Sequence, residues 1–189
     1  MPCMRRAIPP RYISAGECHI GEARSMIRHA KPEEAAILTK ISFASKRYWR
    51  YPGEFYDIWS KELTISPDYI LKNDVFVVEN DGVIIGYYAI VELNEDIEVS
   101  GIRISKGFWL EHMFVEPLSI GKGFGTKMFD HLRRRCTHRG INELGILADP
   151  NSRGFYEKME CEYKREHPST IKNRTTPYLQ LRIRDRLYH

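Results

Sequence analysis

A glycine-dense loop between an apolar segment and an amphipathic helix is the feature that most constrains this fold. Residues 108–115 form a short apolar and aromatic run, interrupted by Glu111 and His112, which predicts a buried strand. Three glycines follow within residues 121–125, and then a helical pattern with one apolar face at Met128, Phe129, Leu132 and Cys136. A strand, a glycine loop and a helix in this order present unsatisfied backbone N–H groups and the positive end of a helix dipole. The stretch therefore predicts a site for a phosphorylated ligand.

Two common phosphate-binding motifs do not fit the spacing of these glycines. A nucleotide-triphosphatase loop needs Gly-Lys followed by Ser or Thr, and here Lys122 is followed by Gly123. The dinucleotide fingerprint Gly-x-Gly-x-x-Gly also fails, because the glycines fall at positions 121, 123 and 125.

The stretch resembles motif A of the GCN5-related N-acetyltransferases (GNAT), whose loop has the pattern Gln/Arg-x-x-Gly-x-Gly/Ala. The corresponding residues are Ile120, Gly121, Lys122, Gly123, Phe124 and Gly125. They follow Val115-x-Pro117, a pattern that often ends the fourth strand of this family. Ile120 stands where the family prefers Gln or Arg, which removes one side chain near the pyrophosphate and leaves the backbone cradle.

A second block resembles motif B of the same family, which is usually an Asn, a spacer and then Tyr-Glu-Lys. Here Asn151 is followed by Tyr156, Glu157 and Lys158. Two motifs in the correct order and on the correct predicted elements make the resemblance much more specific than one glycine loop.

The order of predicted elements from residue 26 to the C-terminus, β-α-α-β-β-β-α-β-α-β-β, matches the fold of that family. The resemblance implies an α/β (α+β) single-domain acyl-CoA N-acyltransferase (GNAT) fold. Such a fold has a central mixed, mostly antiparallel sheet of about seven strands flanked by about four helices. We assign residues 26–189 to this N-acetyltransferase domain and residues 1–25, which contain several Arg, Pro and Gly residues, to a loosely ordered N-terminal extension.

Turn-forming residues divide the middle of the chain. Ser66 and Pro67 are interpreted as the end of the helical region, and residues 94–106 as a polar connection. Between them, Asp81-Gly82 lies between strand patterns over residues 75–79 and 83–93. This is the residue pair that tight hairpins prefer, so we predict a hairpin there.

Composition limits the classes of partner. The chain is 42% hydrophobic and 29% charged and has no apolar run long enough to span a membrane. Its net charge of +4 suits an anionic cofactor but does not by itself argue for nucleic acid. The Arg triplet at residues 133–135 is interpreted as a solvated helix face. Neither the four Cys nor the seven His residues have metal-ligand spacing. We expect a cytoplasmic protein with no metal, no membrane contact and no nucleic-acid partner.

The resemblance implies acetyl-CoA as co-substrate and gives each motif a role in binding it. The backbone of Met113, Phe114 and Val115 would pair with the pantetheine arm, and one of their amides would face the thioester oxygen. The pyrophosphate would be held by residues of the glycine loop, namely Ile120, Gly121, Lys122, Gly123, Phe124, Gly125 and Thr126. Asn151 would hydrogen-bond the CoA arm, and Tyr156 would approach the sulfur.

Acetyl transfer to an amine needs a base for the amine, stabilisation of an oxyanion and an acid for the departing thiolate. Tyr156 is the candidate acid, and the alternative is a helix tyrosine packed on the sheet. Glu111 is the candidate base, because burying a carboxylate within an apolar run is costly unless it has a role; the alternative is an ion-pair partner or a binder of a cationic acceptor. His112, expected on the opposite face of the strand, is the second candidate base. Direct loss of the amine proton to solvent is the third.

The resemblance therefore predicts an N-acetyltransferase that transfers the acetyl group directly to a primary amine of a small molecule, peptide or protein. A catalytically silent acyl-CoA-binding or sensor module is the alternative. Acceptor specificity would depend on the loops at 46–59, 94–106 and 168–177. The aromatic residues of 46–59 either wall the acceptor site or fill a lid over the sheet. The oligomeric state stays open, with a homodimer common among relatives.

Overall fold

The computed structural model describes residues 25–99 and 101–183 of the 189-residue chain. The strands in these ranges are β1 (Ser25–His29), β2 (Asp74–Asn80), β3 (Val83–Leu93), β4 (Ile97–Val99), β5 (Ile102–Ile104), β6 (Gly107–Val115), β7 (Glu143–Leu147), β8 (Glu162–Pro168) and β9 (Thr175–Arg182). The α-helices are α1 (Ala35–Tyr48), α2 (Gly53–Leu63), α3 (Pro67–Lys72), α4 (Phe124–His138) and α5 (Arg153–Lys158). The predicted extension of residues 1–25 lies outside the described residues, apart from Ser25 at the start of β1.

Seven of the strands form one sheet in the order β1-β2-β3-β6-β7-β9-β8. Every neighbouring pair in it is antiparallel except β6 and β7, which run parallel. Parallel neighbours need a crossover connection, and here α4 lies in the connection between the two strands. The predicted mixed, mostly antiparallel sheet of about seven strands is confirmed. β4 and β5 form a separate two-stranded sheet.

The elements with the strongest sequence signals form as predicted. β2 and β3 are joined by a tight turn at Asp81 and Gly82, whose φ angles of 50° and 78° are those that such turns require. β3 spans the predicted residues 83–93. The predicted apolar face of α4 is fully buried at Met128, Phe129, Leu132 and Cys136.

Helices cover both faces of the sheet, so the core has two layers. α4 and α5 pack on the face that carries Phe76 and Val78 of β2. α1 and α3 pack on the face that carries Val75 and Val77 of the same strand. Successive strand residues point to opposite faces, and the middle of β2, residues 75–78, is apolar without interruption because both of its faces are buried there.

α3 is a helix that the sequence analysis did not predict. The interpretation of Ser66 and Pro67 as the end of the helical region is wrong, because the two residues begin α3. The Ser66 side chain caps the helix by accepting a hydrogen bond from the Tyr69 N–H at 3.1 Å. Pro67 occupies the first helical position, where a missing N–H is tolerated. α3 makes five helices where about four were expected, and it places Tyr69 beside β6.

The connection predicted over residues 94–106 contains the hairpin of β4 and β5. Ile97 pairs with Ile104, and Val99 pairs with Ile102, so the hairpin has one face of four apolar residues. The Nε2 atom of His167 in β8 lies 3.2 Å from the carbonyl oxygen of Arg103 in β5. This contact joins the hairpin to the main sheet.

Candidate active site

A cleft of about 340 Å³ opens where β6 and β7 separate. Among the described residues the two strands pair at Trp109–Gly145 and Leu110–Ile146. Gly145 permits this approach, because a Cβ on it would lie 2.6 Å from the Trp109 ring. Beyond Leu110, the edge of β6 that faces β7 has no strand partner within the described ranges. The opening leaves room for an extended ligand between the strands.

The cleft brings together part of the predicted site. Its lining includes Glu111, His112, Met113, Phe114 and Tyr156. Val115, the glycine loop and Asn151 lie outside this lining, further along the same elements. Trp59 of the aromatic segment 46–59 also lines the cleft and is 3% exposed. The Trp59 ring thus lines the cleft and also packs as core, and the interpretation of the segment as a wall of the acceptor site stays a prediction.

A β-bulge at Glu111 changes the direction of the side chains on β6. Ala89 of β3 pairs with His112, and Ile90 pairs with Leu110, which leaves Glu111 without a partner on β3. A bulged residue interrupts the alternation of side chains along a strand. His112 Nε2 accordingly lies 3.8 Å from Glu111 Oε2. The expectation that His112 points away from Glu111 is wrong, because both side chains line the cleft.

The Glu111 carboxylate is held by a tyrosine from α3. The Tyr69 hydroxyl donates a hydrogen bond to Glu111 Oε2. Burial, and then the negative charge of Glu111, raises the pKa of Tyr69, so this phenol remains a donor. The Glu111 side chain keeps 45% of its surface exposed. Its second oxygen, Oε1, makes no hydrogen bond among the described residues and remains open to a ligand in the cleft.

His112 is buried and neutral. Its ring packs against those of Tyr69, Tyr87 and Phe114, with centroids 5.6, 6.0 and 5.9 Å away. Burial lowers the pKa of His112 and outweighs the opposing effect of Glu111. The imidazole can therefore accept a proton from a ligand but is a weak base.

Tyr156 projects from α5 into the cleft and is 7% exposed. Its ring packs against Phe129 and Phe155, with centroids 6.1 and 5.2 Å away. Burial, assisted by the nearby Cys161 and Asp149, raises the pKa of Tyr156. Within the described part of the chain, its hydroxyl has no hydrogen-bond partner. The side chain is thus a protonated phenol whose O–H is available to a ligand.

The glycine loop lies at the N-terminus of α4. Gly121 and Gly123 have φ angles of 80° and 84°, a left-handed conformation that other residues rarely adopt. Gly123 is the N-cap of α4. The N–H groups of Gly125 and Thr126 in the first turn meet no backbone acceptor among the described residues. These donors and the helix dipole together favour an anion at this end of α4.

The remaining loop residues are accessible. Ile120, which stands where the family prefers Gln or Arg, is 36% exposed. Lys122 is exposed and Phe124 half-buried. Asn151 is also exposed, and its side-chain amide donates to Tyr51 Oη at 2.8 Å and to Asp149 Oδ1 at 3.1 Å.

A polar network beside the cleft was not predicted from the sequence. We call it the Asp149 network and define it as Lys46, Tyr51, Asp149 and Arg174. Asp149 Oδ2 lies 2.8 Å from Lys46 Nζ and 3.8 Å from Arg174 Nη2. Tyr51 donates a hydrogen bond to Asp149 Oδ1 at 2.7 Å. Lys46 of α1 is 103 positions from Asp149 in the sequence, and Tyr51 in the loop after α1 is 98 positions from it. No local sequence pattern could therefore reveal the network.

Charge pairing dominates the electrostatics of this network. Burial alone would raise the pKa of Asp149, but Lys46 and Tyr51 outweigh burial, and the pKa is lowered. Burial, together with the hydrogen bond to Asp149, raises the pKa of Tyr51 to about 12. At neutral pH Asp149 is therefore a carboxylate and Tyr51 an uncharged donor.

The described residues contain no group of three or more His, Cys, Asp or Glu side chains that could hold a metal ion. Within the same ranges, no helix is both long and apolar enough to cross a membrane.

Solved structures with the same fold come from several organisms. A GCN5-related N-acetyltransferase from Rhodopseudomonas palustris is 18% identical, with 87% of this chain and 99% of that chain covered and a TM-score of 0.66. PaiA N-acetyltransferase from Thermoplasma acidophilum, solved in complex with coenzyme A, is 14% identical, with 84% and 99% covered and a TM-score of 0.65. A GNAT family acetyltransferase from Brucella melitensis, in complex with acetyl-CoA, is 21% identical, with 85% and 89% covered and a TM-score of 0.52.

Sequence comparison gives the family itself. No curated protein matches this chain significantly. The family model described as "Acetyltransferase (GNAT) family" matches residues 41–160, which include the cleft-lining part of β6, the glycine loop and α5. The match covers more than half of the sequence and agrees with the fold of the solved structures. This chain belongs to the GNAT acetyltransferase family.

Proposed function

We propose that this protein is an N-acetyltransferase that transfers the acetyl group of acetyl-CoA directly to a primary amine. The observation that carries the proposal is the meeting of Glu111 and Tyr156 in one cleft, where β6 and β7 separate. The first offers a carboxylate and the second a protonated phenol, which are the two groups that a proton-coupled acyl transfer needs. Family membership and the relatives crystallised with coenzyme A or acetyl-CoA support the choice of co-substrate.

Acetyl-CoA would be bound along β6 and the start of α4. We propose that the free edge of β6 at Met113, Phe114 and Val115 pairs with the pantetheine arm. The pyrophosphate would be held by backbone amides of Gly121, Lys122, Gly123, Phe124, Gly125 and Thr126, beside Ile120. These amides begin a helix of 15 residues, long enough for its dipole to favour an anion. Asn151 would contact the CoA arm from the opposite side of the opening.

Each catalytic residue has one proton to move. Acetyl-CoA supplies an activated thioester when it is bound. Glu111 would accept a proton from the attacking amine through its open carboxylate oxygen, while Tyr69 holds the other oxygen. A backbone N–H on the free edge of β6 would donate to the developing oxyanion. Tyr156, which its raised pKa keeps protonated, would donate its phenolic proton to the departing thiolate and then regain a proton from solvent.

His112 is the alternative base, because its neutral ring also borders the cleft. The two candidates differ in environment, since Glu111 is half-exposed and His112 is 8% exposed. Glu111 has an open carboxylate oxygen in the cleft, whereas burial makes the His112 imidazole a weak base. We therefore assign the base to Glu111 and expect His112 to contribute packing.

Release of CoA thiol in the presence of a panel of amines tests the proposal. The panel comprises amino acids, aromatic and aliphatic amines, polyamines and short peptides, each at saturating acetyl-CoA. At least one amine should stimulate release well above hydrolysis. Tight acetyl-CoA binding without stimulation by any amine would instead support a silent acyl-CoA-binding module.

A further inference from the structure

Arg174 borders the cleft with most of its hydrogen-bonding capacity unused. It lies between β8 and β9, and its side chain is 15% exposed. Its hydrogen bonds are long, 3.3 Å to Tyr51 Oη and 3.5 Å to Ser169 Oγ. A guanidinium has five N–H donors. Donors therefore remain available to a ligand that enters the cleft.

The charge of Arg174 is only weakly compensated by its ion pair with Asp149. The Asp149 network contains two cations, Lys46 and Arg174, and one anion, Asp149, which gives a net charge of +1 (two minus one) at neutral pH. Lys46 is the nearer partner of the anion, at 2.8 Å against 3.8 Å for Arg174. Tyr51 adds no charge, because it remains a protonated phenol at this pH. Arg174 is therefore the less closely paired cation of the network, and it lines the cleft.

Two aromatic rings hold this guanidinium in place. Its central carbon lies 5.1 Å from the Tyr51 ring centroid and 5.3 Å from that of Trp59. Stacking of this kind fixes a planar group without using its N–H donors. A fixed guanidinium with free N–H groups is suited to donate two parallel hydrogen bonds to a carboxylate.

The hairpin of β4 and β5 supplies an apolar part of the same cleft. Four of its side chains, Ile97, Val99, Ile102 and Ile104, are in the lining, with Leu93 and Trp109 beside them. Val99 is 40% exposed although it is apolar. A ligand that covered this surface would gain free energy from the removal of apolar area from water.

We infer that the acceptor is an amino acid with an apolar side chain, whose carboxylate is bound by Arg174 and whose side chain packs on the hairpin. The inference rests on the proposed function for the amine and its acetylation. The anion site at Arg174 does not depend on turnover.

Binding of two matched ligands tests the anion site without catalysis. 3-Phenylpropionate and 3-phenylpropanamide share an apolar ring and differ in charge, and their affinities are measured by calorimetry with CoA present. We expect the carboxylate to bind at least roughly tenfold more tightly, as one charge-assisted contact predicts. Equal affinities, or no binding of either ligand at millimolar concentration, would overturn the inference. This comparison uses the unmodified protein and needs no variant.

Arg174→Gln should abolish the preference between these ligands and leave acetyl-CoA affinity unchanged. Arg165→Gln is the matched control, because Arg165 also stacks on a ring, 5.6 Å from the Tyr178 centroid, but does not line the cleft. The control should retain the preference. A preference that survives Arg174→Gln, or a loss of acetyl-CoA affinity in that variant, would show that Arg174 has another role.

Turnover of three acceptors tests the substrate class. Phenylalanine should exceed both phenethylamine, which lacks the carboxylate, and glycine, which lacks the apolar group, by roughly tenfold or more in kcat/KM. If phenethylamine or spermidine is the better acceptor, the inference fails and the proposed function stands. If no amine is acetylated, the proposed function fails, and with it the assignment of an acceptor, while the ligand comparison still decides whether Arg174 binds carboxylates.

Discussion

Replacement of Tyr156 by Phe isolates the chemistry assigned to one hydroxyl. The ring is 7% exposed and packs on Phe129 and Phe155, and Phe preserves these contacts. No residue in the described ranges hydrogen-bonds the hydroxyl, so its removal leaves no buried partner unsatisfied. We therefore expect the free energy of unfolding to change by less than about 0.5 kcal/mol. The kcat should fall roughly 100-fold, a typical effect of losing a general acid, equivalent to about 2.7 kcal/mol in the barrier.

Steady-state release of CoA thiol at saturating acceptor measures this effect, with acetyl-CoA affinity measured separately by calorimetry. Tyr163→Phe is the control, because the Tyr163 hydroxyl bonds Glu166 at 3.2 Å and does not line the cleft. Burial raises the pKa of Tyr156, so the wild type should keep its acid protonated across roughly pH 6 to 9. A Tyr156→Phe variant with kcat within threefold of wild type, or with weakened acetyl-CoA binding and intact turnover, would refute the assigned role.

Three further predictions concern the base, the phosphate cradle and the Asp149 network. Glu111→Gln should lower kcat/KM roughly 100-fold while acetyl-CoA affinity stays unchanged; a kcat/KM within threefold of wild type would exclude Glu111 as the base. Gly123→Ala should weaken acetyl-CoA binding, measured by calorimetry, because φ is 84° there; Gly82→Ala has a similar φ of 78° in the β2–β3 turn and should cost about 1 kcal/mol of stability without affecting binding. Asp149→Asn should lower the free energy of unfolding by about 3 kcal/mol at pH 7, because it leaves a lysine unpaired. The folded-state pKa of Asp149 is lowered, so this contribution is present above its ordinary pKa of 3.8 and is lost as the pH falls through the folded value. Urea denaturation at a series of pH values checks this, and a difference between wild type and variant that persists in acid would contradict it.

Local patterns were sufficient for much of the fold. The apolar period of α4 identified its buried face, and Asp81-Gly82 located the turn after β2, because each signal depends on residues that are neighbours in the chain. The glycine loop was found for the same reason, since the positions of its glycines and the start of α4 are adjacent in sequence.

The parts that were missed depend on contacts between distant residues or on ambiguous local signals. Ser66 and Pro67 are compatible with either the end of one helix or the start of another, and only packing of α3 on the sheet decides between them. The bulge at Glu111 is a change of register between β3 and β6 and leaves no trace in a strand pattern. The contact of Arg174 with Tyr51 spans 123 positions. Its role as a carboxylate site could therefore be inferred only from the structure.

Transfer of a labelled acetyl group to an amine tests the central proposal most directly. The protein is incubated with acetyl-CoA labelled with ¹³C in the acetyl group and with phenylalanine, and the products are followed by NMR. We predict an amine-dependent signal from an N-acetyl amide, equal in amount to the CoA released. If acetyl-CoA binds and the label stays on the thioester with every amine in the panel, the account of Glu111 and Tyr156 as a catalytic pair is wrong.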